Sequence, residues 1–235
     1  MKVVILAGGL GTRISEETEN KPKPMVLLDD KPILWHLMNT YAIQGFTDFV
    51  IATGYMNHVI DSWVASLKSP WTIQTVFTGE GTQTGGRIKK CMDQFPGERV
   101  LATYGDGLGS VNIKELISFH EKCQLLATVT AVRPPARFGV LNISGDLVDH
   151  FGEKEHTDSG WINGGFFVLE PEVSEFIESD VEPFEIGALP RLTKISKLAA
   201  FQHEGFWQPM DTLREKNILS QYALSDSPPW LDIRP

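Results

Sequence analysis

Short β-branched apolar runs alternate with longer amphipathic segments through the first half of the chain. Val3 to Ala7 is continuously apolar, as a strand buried on both faces would be, whereas Pro32 to Ile43 carries its apolar residues at helical spacing. The same rhythm predicts a strand over Phe49 to Thr53, a helix over Val59 to Leu67, a strand over Ile73 to Thr78 and a helix over Arg87 to Phe95. It continues with a strand over Val100 to Tyr104, a helix over Asn112 to Cys123 and a strand over Leu126 to Val132. Strands that alternate with helices imply right-handed crossovers, hence an α/β fold with a mainly parallel sheet covered on both faces.

Beyond Pro134-Pro135 the pattern changes. Phe138 to Ile143 and Leu147 to Phe151 flank Ser144-Gly145-Asp146, which reads as a β-hairpin inserted into the α/β order. A strand over Trp161 to Leu169, a short helix over Glu172 to Ser179, a strand over Leu198 to His203 and a closing helix over Thr212 to Leu224 follow. The tail from Pro228 to Pro235 reads as a surface extension or an oligomer contact. Trp35, Met38 and Tyr41 recur at helical spacing and, with Met25, are expected to pack in the core.

With 235 residues, 42% of them hydrophobic, and no compositional break, the chain reads as one domain spanning 1–235. A net charge of −9 disfavours nucleic acid or an anionic membrane as partner, but leaves small anions open through local lysines and arginines. Cys91 and Cys123 lack metal-ligand spacing and fall in helical segments, and the apolar run at the N-terminus stops at Gly8, too short for a signal peptide. These features fit a reducing cytoplasm. None of the six histidines forms a ligand-like pair.

The first strand runs directly into Gly8-Gly9-Leu10-Gly11-Thr12-Arg13, at the place where open α/β sheets bind ligands. Glycines there let backbone N–H groups approach phosphate oxygens, and Arg13 adds a guanidinium clamp that an ordinary tight turn would not need. A dinucleotide fingerprint would require glycine or alanine at Ile14, and a Walker A loop would require a terminal Gly-Lys-Ser/Thr; neither is present. Instead Asn20-Lys21-Pro22-Lys23-Pro24-Met25 offers two lysines in a proline-stiffened, extended segment, one of which is expected to meet the phosphates.

Together these two segments resemble the signature of sugar-1-phosphate nucleotidylyltransferases, and Ser15-Glu16-Glu17-Thr18 is similar to the glucose-1-phosphate cytidylyltransferase family. The resemblance extends in order through Thr84-Gly85-Gly86-Arg87, Tyr104-Gly105-Asp106-Gly107, Arg137-Phe138-Gly139, Ile162 to Phe167 and Gly205 to Arg214. It implies a three-layer, Rossmann-like nucleotidyltransferase fold, with residues 1–133 as the nucleotide-binding half and 134–235 as the acceptor-binding half. The implied reaction is Mg²⁺-dependent transfer from CTP to a small phosphorylated acceptor, glucose 1-phosphate by default, with release of pyrophosphate. A homo-oligomer and a role in polysaccharide biosynthesis are implied as well.

Carried over by motif, Arg13 meets the leaving phosphates, Lys23 the reacting centre, and Asp106 and Asp211 the metal. Leu6, Ala7, Gly8, Gly9, Gly11 and Thr12 line the nucleotide, and Gly85 and Gly86 let the base lie against the backbone. Lys154 holds the acceptor phosphate, while Glu153, Asn163 and Gly164 contact the acceptor. Two hard carboxylates from distant sequence suit Mg²⁺, which keeps its other positions for water and phosphate. Departures fall mostly on the acceptor side: Phe184-Glu185-Ile186-Gly187-Ala188-Leu189 replaces the family's Trp-Glu-x-Glu-Pro-Leu, Glu155 replaces its proline, and Leu67 to Trp71 lacks an intervening stretch. Transfer from UTP or dTTP, and a catalytically silent nucleotide or sugar-phosphate sensor, are the alternatives; a Rossmann oxidoreductase is disfavoured by the broken fingerprint.

Overall fold

Alternate residues of the first strand point to opposite sides: Val3 and Ile5 enter one hydrophobic cluster, Val4 and Leu6 another. That division runs across a seven-stranded sheet, which is why so many of its strands read as unbroken apolar runs. The computed structural model describes residues 1–134, 140–144, 147–152 and 160–234. Its central strands are β1 (Lys2–Leu6), β2 (Asp48–Thr53), β3 (Thr72–Phe77), β4 (Val100–Tyr104), β5 (Ala127–Val132), β6 (Ile162–Leu169) and β7 (Leu198–His203). They lie in the order β7-β5-β6-β4-β1-β2-β3. All run parallel except β6, which is antiparallel to both β4 and β5.

Helices α1 (Ile33–Ala42), α2 (Asn57–Ser66), α4 (Ile113–Cys123) and α6 (Leu213–Ala223) cover one face, and α3 (Thr84–Met92) and α5 (Ala188–Lys194) the other. Caps fix several of these ends. The Asn112 side chain accepts from Glu115 N at 3.2 Å to open α4, and Gln124 closes it in a left-handed conformation. Met38 and Tyr41 are fully buried as their spacing predicts, and Trp35 is partly so. The hairpin is present as Val140–Ser144 paired antiparallel with Leu147–Gly152. Among the described residues, no helix is long and apolar enough to cross a membrane.

Three local expectations are corrected and one helix is added. Lys23–Met25 forms one 3₁₀ turn rather than extended chain, because Pro24 sits in a first turn where its missing N–H is not needed. The same tolerance admits Pro190 into the first turn of α5, a helix the pattern does not reveal. The short helix expected over Glu172 to Ser179 is a 3₁₀ segment over Pro171–Phe176, ending where Ile177 becomes extended. The tail is not a surface extension: Trp230 is completely buried, with its ring 5.5 Å from that of His36 and 6.1 Å from that of Phe206. Trp230→Ala should therefore lower unfolding stability by about 3–5 kcal/mol, the range for deleting a buried aromatic, as read by urea denaturation.

Candidate active site

Between β1 and β4 the order of the sheet reverses, since the chain winds outward through β2 and β3 before returning to β4. Loops leaving the carboxyl ends of two such strands diverge and open a crevice. A cavity of about 1350 Å³ lies there. Leu6, Ala7, Gly8, Gly9, Gly11, Thr12, Arg13, Lys23, Asp106, Asn163, Gly164 and Asp211 all line it.

The glycine-rich loop is held from beneath. Gly11 has φ +64°, which needs glycine, and turns the chain into the 3₁₀ segment Thr12–Ile14 that carries Arg13 outward. Thr18 Oγ1 donates to the Gly11 and Ile14 carbonyls at 3.2 and 3.1 Å. Arg87, buried in α3, donates through Nη2 to the Gly8 carbonyl at 2.9 Å and through Nη1 to the Thr53 carbonyl at 3.1 Å and to Thr78 Oγ1. Burial pulls the pKa of its guanidinium down from the usual value. Arg87→Met would leave buried carbonyls without donors, so we expect a loss of about 2–3 kcal/mol in chemical denaturation.

The two aspartates are brought together by a second, small sheet. Asp106 lies between β4 and Gly107–Gly109, which pairs antiparallel with Trp207–Pro209, and Met210 N donates to the Asp106 carbonyl at 2.8 Å. Asp211 follows one residue later. Its backbone N–H, like that of Thr212, is taken by Glu215 Oε2 at 2.8 and 2.9 Å, in a Thr212/Glu215 capping box that opens α6. Thr-x-x-Glu is a pattern that sequence reading could have caught.

Lys23 stands where the carboxylates converge. Its Nζ lies 2.7 Å from Asp106 Oδ2 and 2.7 Å from Asp211 Oδ1, and Arg13 Nη1 is 2.6 Å from Asp211 Oδ2. Burial by itself would lower the pKa of the lysine; the charge of Asp106 and hydrogen bonds to both carboxylates outweigh it and hold the pKa above 10.5. Two carboxylates meeting at one cationic position form a hard oxygen donor set. The described residues contain no cluster of three or more His, Cys, Asp or Glu that could enclose a metal by themselves. A cation bound by this pair would take its remaining ligands from water and substrate, as Mg²⁺ does in phosphate-binding sites.

Asn163 and Gly164, at the start of β6 just after Ile162, also line the cavity. Asn163 Nδ2 donates to the Tyr104 hydroxyl at 3.0 Å and its Oδ1 accepts from Gly165 N at 2.8 Å, while Trp207 Nε1 donates to the Gly164 carbonyl at 2.8 Å. Gly85 and Gly86 sit between Thr84 and Arg87, both of which line the cavity. The two glycines themselves lie buried in the first turn of α3 and do not line the cavity; a Cβ on them would stand 2.6 Å from the Glu182 carbonyl oxygen and 2.5 Å from that of Asp180. Their small size serves the packing of α3 against the Asp180-to-Phe184 backbone. Glu153 and Lys154 lie outside the described residues. Tyr104, Thr84 and Glu185 also line the cavity, and no motif-level reasoning had assigned them a role.

Comparison with known proteins agrees with this geometry. The sequence model of the nucleotidyl transferase family matches residues 2–233. Glucose-1-phosphate cytidylyltransferase of Salmonella typhi is 44% identical, with 98% of each chain covered. That alignment runs to 253 positions, longer than the 235 residues here, so the relative carries stretches this chain lacks. Mannose-1-phosphate guanyltransferase of Saccharomyces cerevisiae is 30% identical over 95% of this chain and 64% of its own. HddC from Yersinia pseudotuberculosis, solved with GMP-PN, superposes with a TM-score of 0.73 at 26% identity, covering 94% of this chain and 98% of that one. With its cavity at the reversal of a mainly parallel sheet, and with these relatives, the chain is a nucleotidyltransferase that belongs to the glucose-1-phosphate cytidylyltransferase family.

Proposed function

We propose that this enzyme transfers the cytidylyl group of CTP to glucose 1-phosphate, forming CDP-glucose and pyrophosphate with Mg²⁺ as cofactor. The observation that carries the proposal is the convergence of Arg13, Lys23, Asp106 and Asp211 beside the Gly8-to-Thr12 loop. The base assignment draws its support from the 44% identical Salmonella cytidylyltransferase, against 30% for the yeast guanyltransferase. Two free cysteines, one of them the buried Cys91 whose thiol is pushed up to about 12 by burial, suit a cytoplasmic setting.

An oxygen of the acceptor phosphate attacks the α-phosphorus of CTP, and the bond from that phosphorus to the β-phosphate oxygen breaks, so pyrophosphate carries away the bonding pair. The protein's task is chiefly to align the groups and to balance their charge. Asp106 and Asp211 would hold Mg²⁺, which supplies positive charge to the phosphate oxygens as negative charge shifts to the leaving group. Arg13, with its side chain 72% exposed, would exchange its ion pair with Asp211 for the outer phosphates. Lys23 supplies a fixed ammonium within reach of the reacting phosphate. Asn163 faces the acceptor hydroxyls, and Glu153 and Lys154 are assigned to the acceptor by resemblance.

Pyrophosphate release, measured over a panel of triphosphates with glucose 1-phosphate and coupled to product mass, tests the reading. CTP should give CDP-glucose. A clear preference for UTP or dTTP would overturn the choice of base, and turnover with only some other phosphorylated acceptor would overturn glucose 1-phosphate.

A further inference from the structure

One cavity wall is an ordered polar chain that crosses from α3 to the segment before α5. Glu185 Oε1 accepts from the Tyr104 hydroxyl, and Oε2 accepts from Thr84 Oγ1 at 2.7 Å. Phe184 N donates in turn to Thr84 Oγ1 at 2.8 Å, and Asn163 Nδ2 donates to the Tyr104 oxygen at 3.0 Å. Because Asn163 Oδ1 is engaged by Gly165 N, the orientation of its amide is fixed. Every hydroxyl proton in the chain is therefore directed at Glu185. The Tyr104 ring is also locked edge-on to Phe167 at 5.8 Å.

This arrangement leaves a defined remainder. A carboxylate offers about four lone-pair sites, two of which are used here, and an amide NH₂ offers two donors, one of which is used. Glu185 can still accept and Asn163 can still donate, on either side of the Tyr104 hydroxyl, and all three residues line the cavity. Adjacent hydroxyls of a sugar match such a pair, one donating to the carboxylate and its neighbour accepting from the amide. Burial and the nearby Glu185 charge push the phenol of Tyr104 well above its ordinary pKa, which keeps it a donor.

We propose that Glu185 is a specificity-determining residue that reads a hydroxyl of the acceptor and, with Asn163, clamps a vicinal diol. The proposal rests on the acceptor being a sugar phosphate, as inferred above. It makes Glu185, rather than any group at Gly187, the carboxylate that recognises the acceptor in this chain. A Cβ at residue 187 would lie 2.2 Å from Glu182 Oε1, and Glu182 is gripped by Arg191, so that position has no room for a side chain in this arrangement.

The test compares glucose 1-phosphate with its 2-, 3- and 4-monodeoxy analogues on wild-type enzyme and on Glu185→Gln, a near-isosteric change. Wild-type protein should lose about 10- to 100-fold in kcat/KM on removal of either of two adjacent hydroxyls, the range for a hydrogen bond to a charged or fixed polar partner. In Glu185→Gln the KM for the sugar phosphate should rise about 10-fold or more and discrimination at one of those two positions should collapse, while the KM for CTP stays within about twofold. Equal discrimination in both proteins, or a parallel rise in the KM for CTP, would overturn the clamp. The analogue series on wild-type enzyme stands even if the variant folds poorly, because losses at no position, or at two non-adjacent positions, refute the diol. Should wild-type protein turn over none of these substrates, the proposed function fails separately. Calorimetric binding of the same four sugar phosphates then decides the clamp, by the presence or absence of the same adjacent-hydroxyl pattern.

Discussion

Asp211→Asn should lower kcat/KM by about 10³-fold, the largest effect of any near-isosteric change in this protein. The substitution keeps the volume and the backbone contacts with Glu215, so the capping box and the pairing of Trp207–Pro209 persist. What disappears is one negative charge at the point where Lys23 and Arg13 converge with Asp106. Losing a hard anionic ligand at a phosphoryl-transfer centre is worth about 4 kcal/mol of transition-state stabilisation, or about three powers of ten. Steady-state kinetics over a Mg²⁺ titration check this: part of the loss should be recovered at high metal. Thermal unfolding should stay within a few degrees of wild type. A variant retaining more than a tenth of wild-type kcat/KM would show that the carboxylate pair is not the reacting centre.

Lys23→Met should act on both activity and stability. Loss of the ammonium removes the buried cation that both aspartates share, and we expect kcat to fall by about 10²- to 10³-fold, the magnitude for deleting one preorganised electrostatic contact. Asp106 and Asp211 are then left facing each other without it. Breaking a fully buried pair costs about 3–5 kcal/mol. Here Asp106 and Asp211 are 33% and 20% exposed, so solvent screens part of their repulsion and about 2 kcal/mol is expected. The pH dependence follows from the raised lysine pKa. A group whose folded pKa exceeds its unfolded value contributes fully below the unfolded value, 10.5, and loses that contribution as pH rises through the folded one. The stability difference between wild type and variant, measured in chelator, should be constant from about pH 6 to about pH 10 and should shrink at higher pH.

Legibility in the sequence tracked how local the cause was. Val100–Tyr104 and Leu198–His203 were readable to the residue, since each is a short strand-like stretch bounded by breaks in pattern. The helix Ala188–Lys194 was not, because Pro190 reads as a breaker unless its place in the first turn is known. Arg13, Lys23, Asp106 and Asp211 were legible as parts of motifs. Their shared point of convergence was not, as Lys23 and Asp211 lie 188 residues apart. Arg87 sat in plain view after Thr-Gly-Gly, yet its work on the Gly8 carbonyl spans 79 residues, and that of Glu185 on Tyr104 spans 81. Pairings of that kind are set by the winding of the sheet and leave no mark on spacing. The packing demand on Gly85 and Gly86 was hidden for the same reason, since the backbone that requires their smallness lies nearly a hundred residues downstream.

The central position of the first strand also dictates when the protein can assemble. β1 is flanked by β2 and β4, so residues 2–6 wait for partners made later, at 48–53 and 100–104, before either edge is satisfied. β4 waits in turn for β6, which arrives only at 162–169. Such long loops make closure slow and leave apolar strand edges open during synthesis, the interval in which a chaperone or a misdirected edge would compete for them. The candidate site is completed later still. Asp211 meets Lys23 across 188 residues, beside the pairing of Gly107–Gly109 with Trp207–Pro209, so the convergence of charges at the site cannot exist in a nascent chain until Asp211 has emerged.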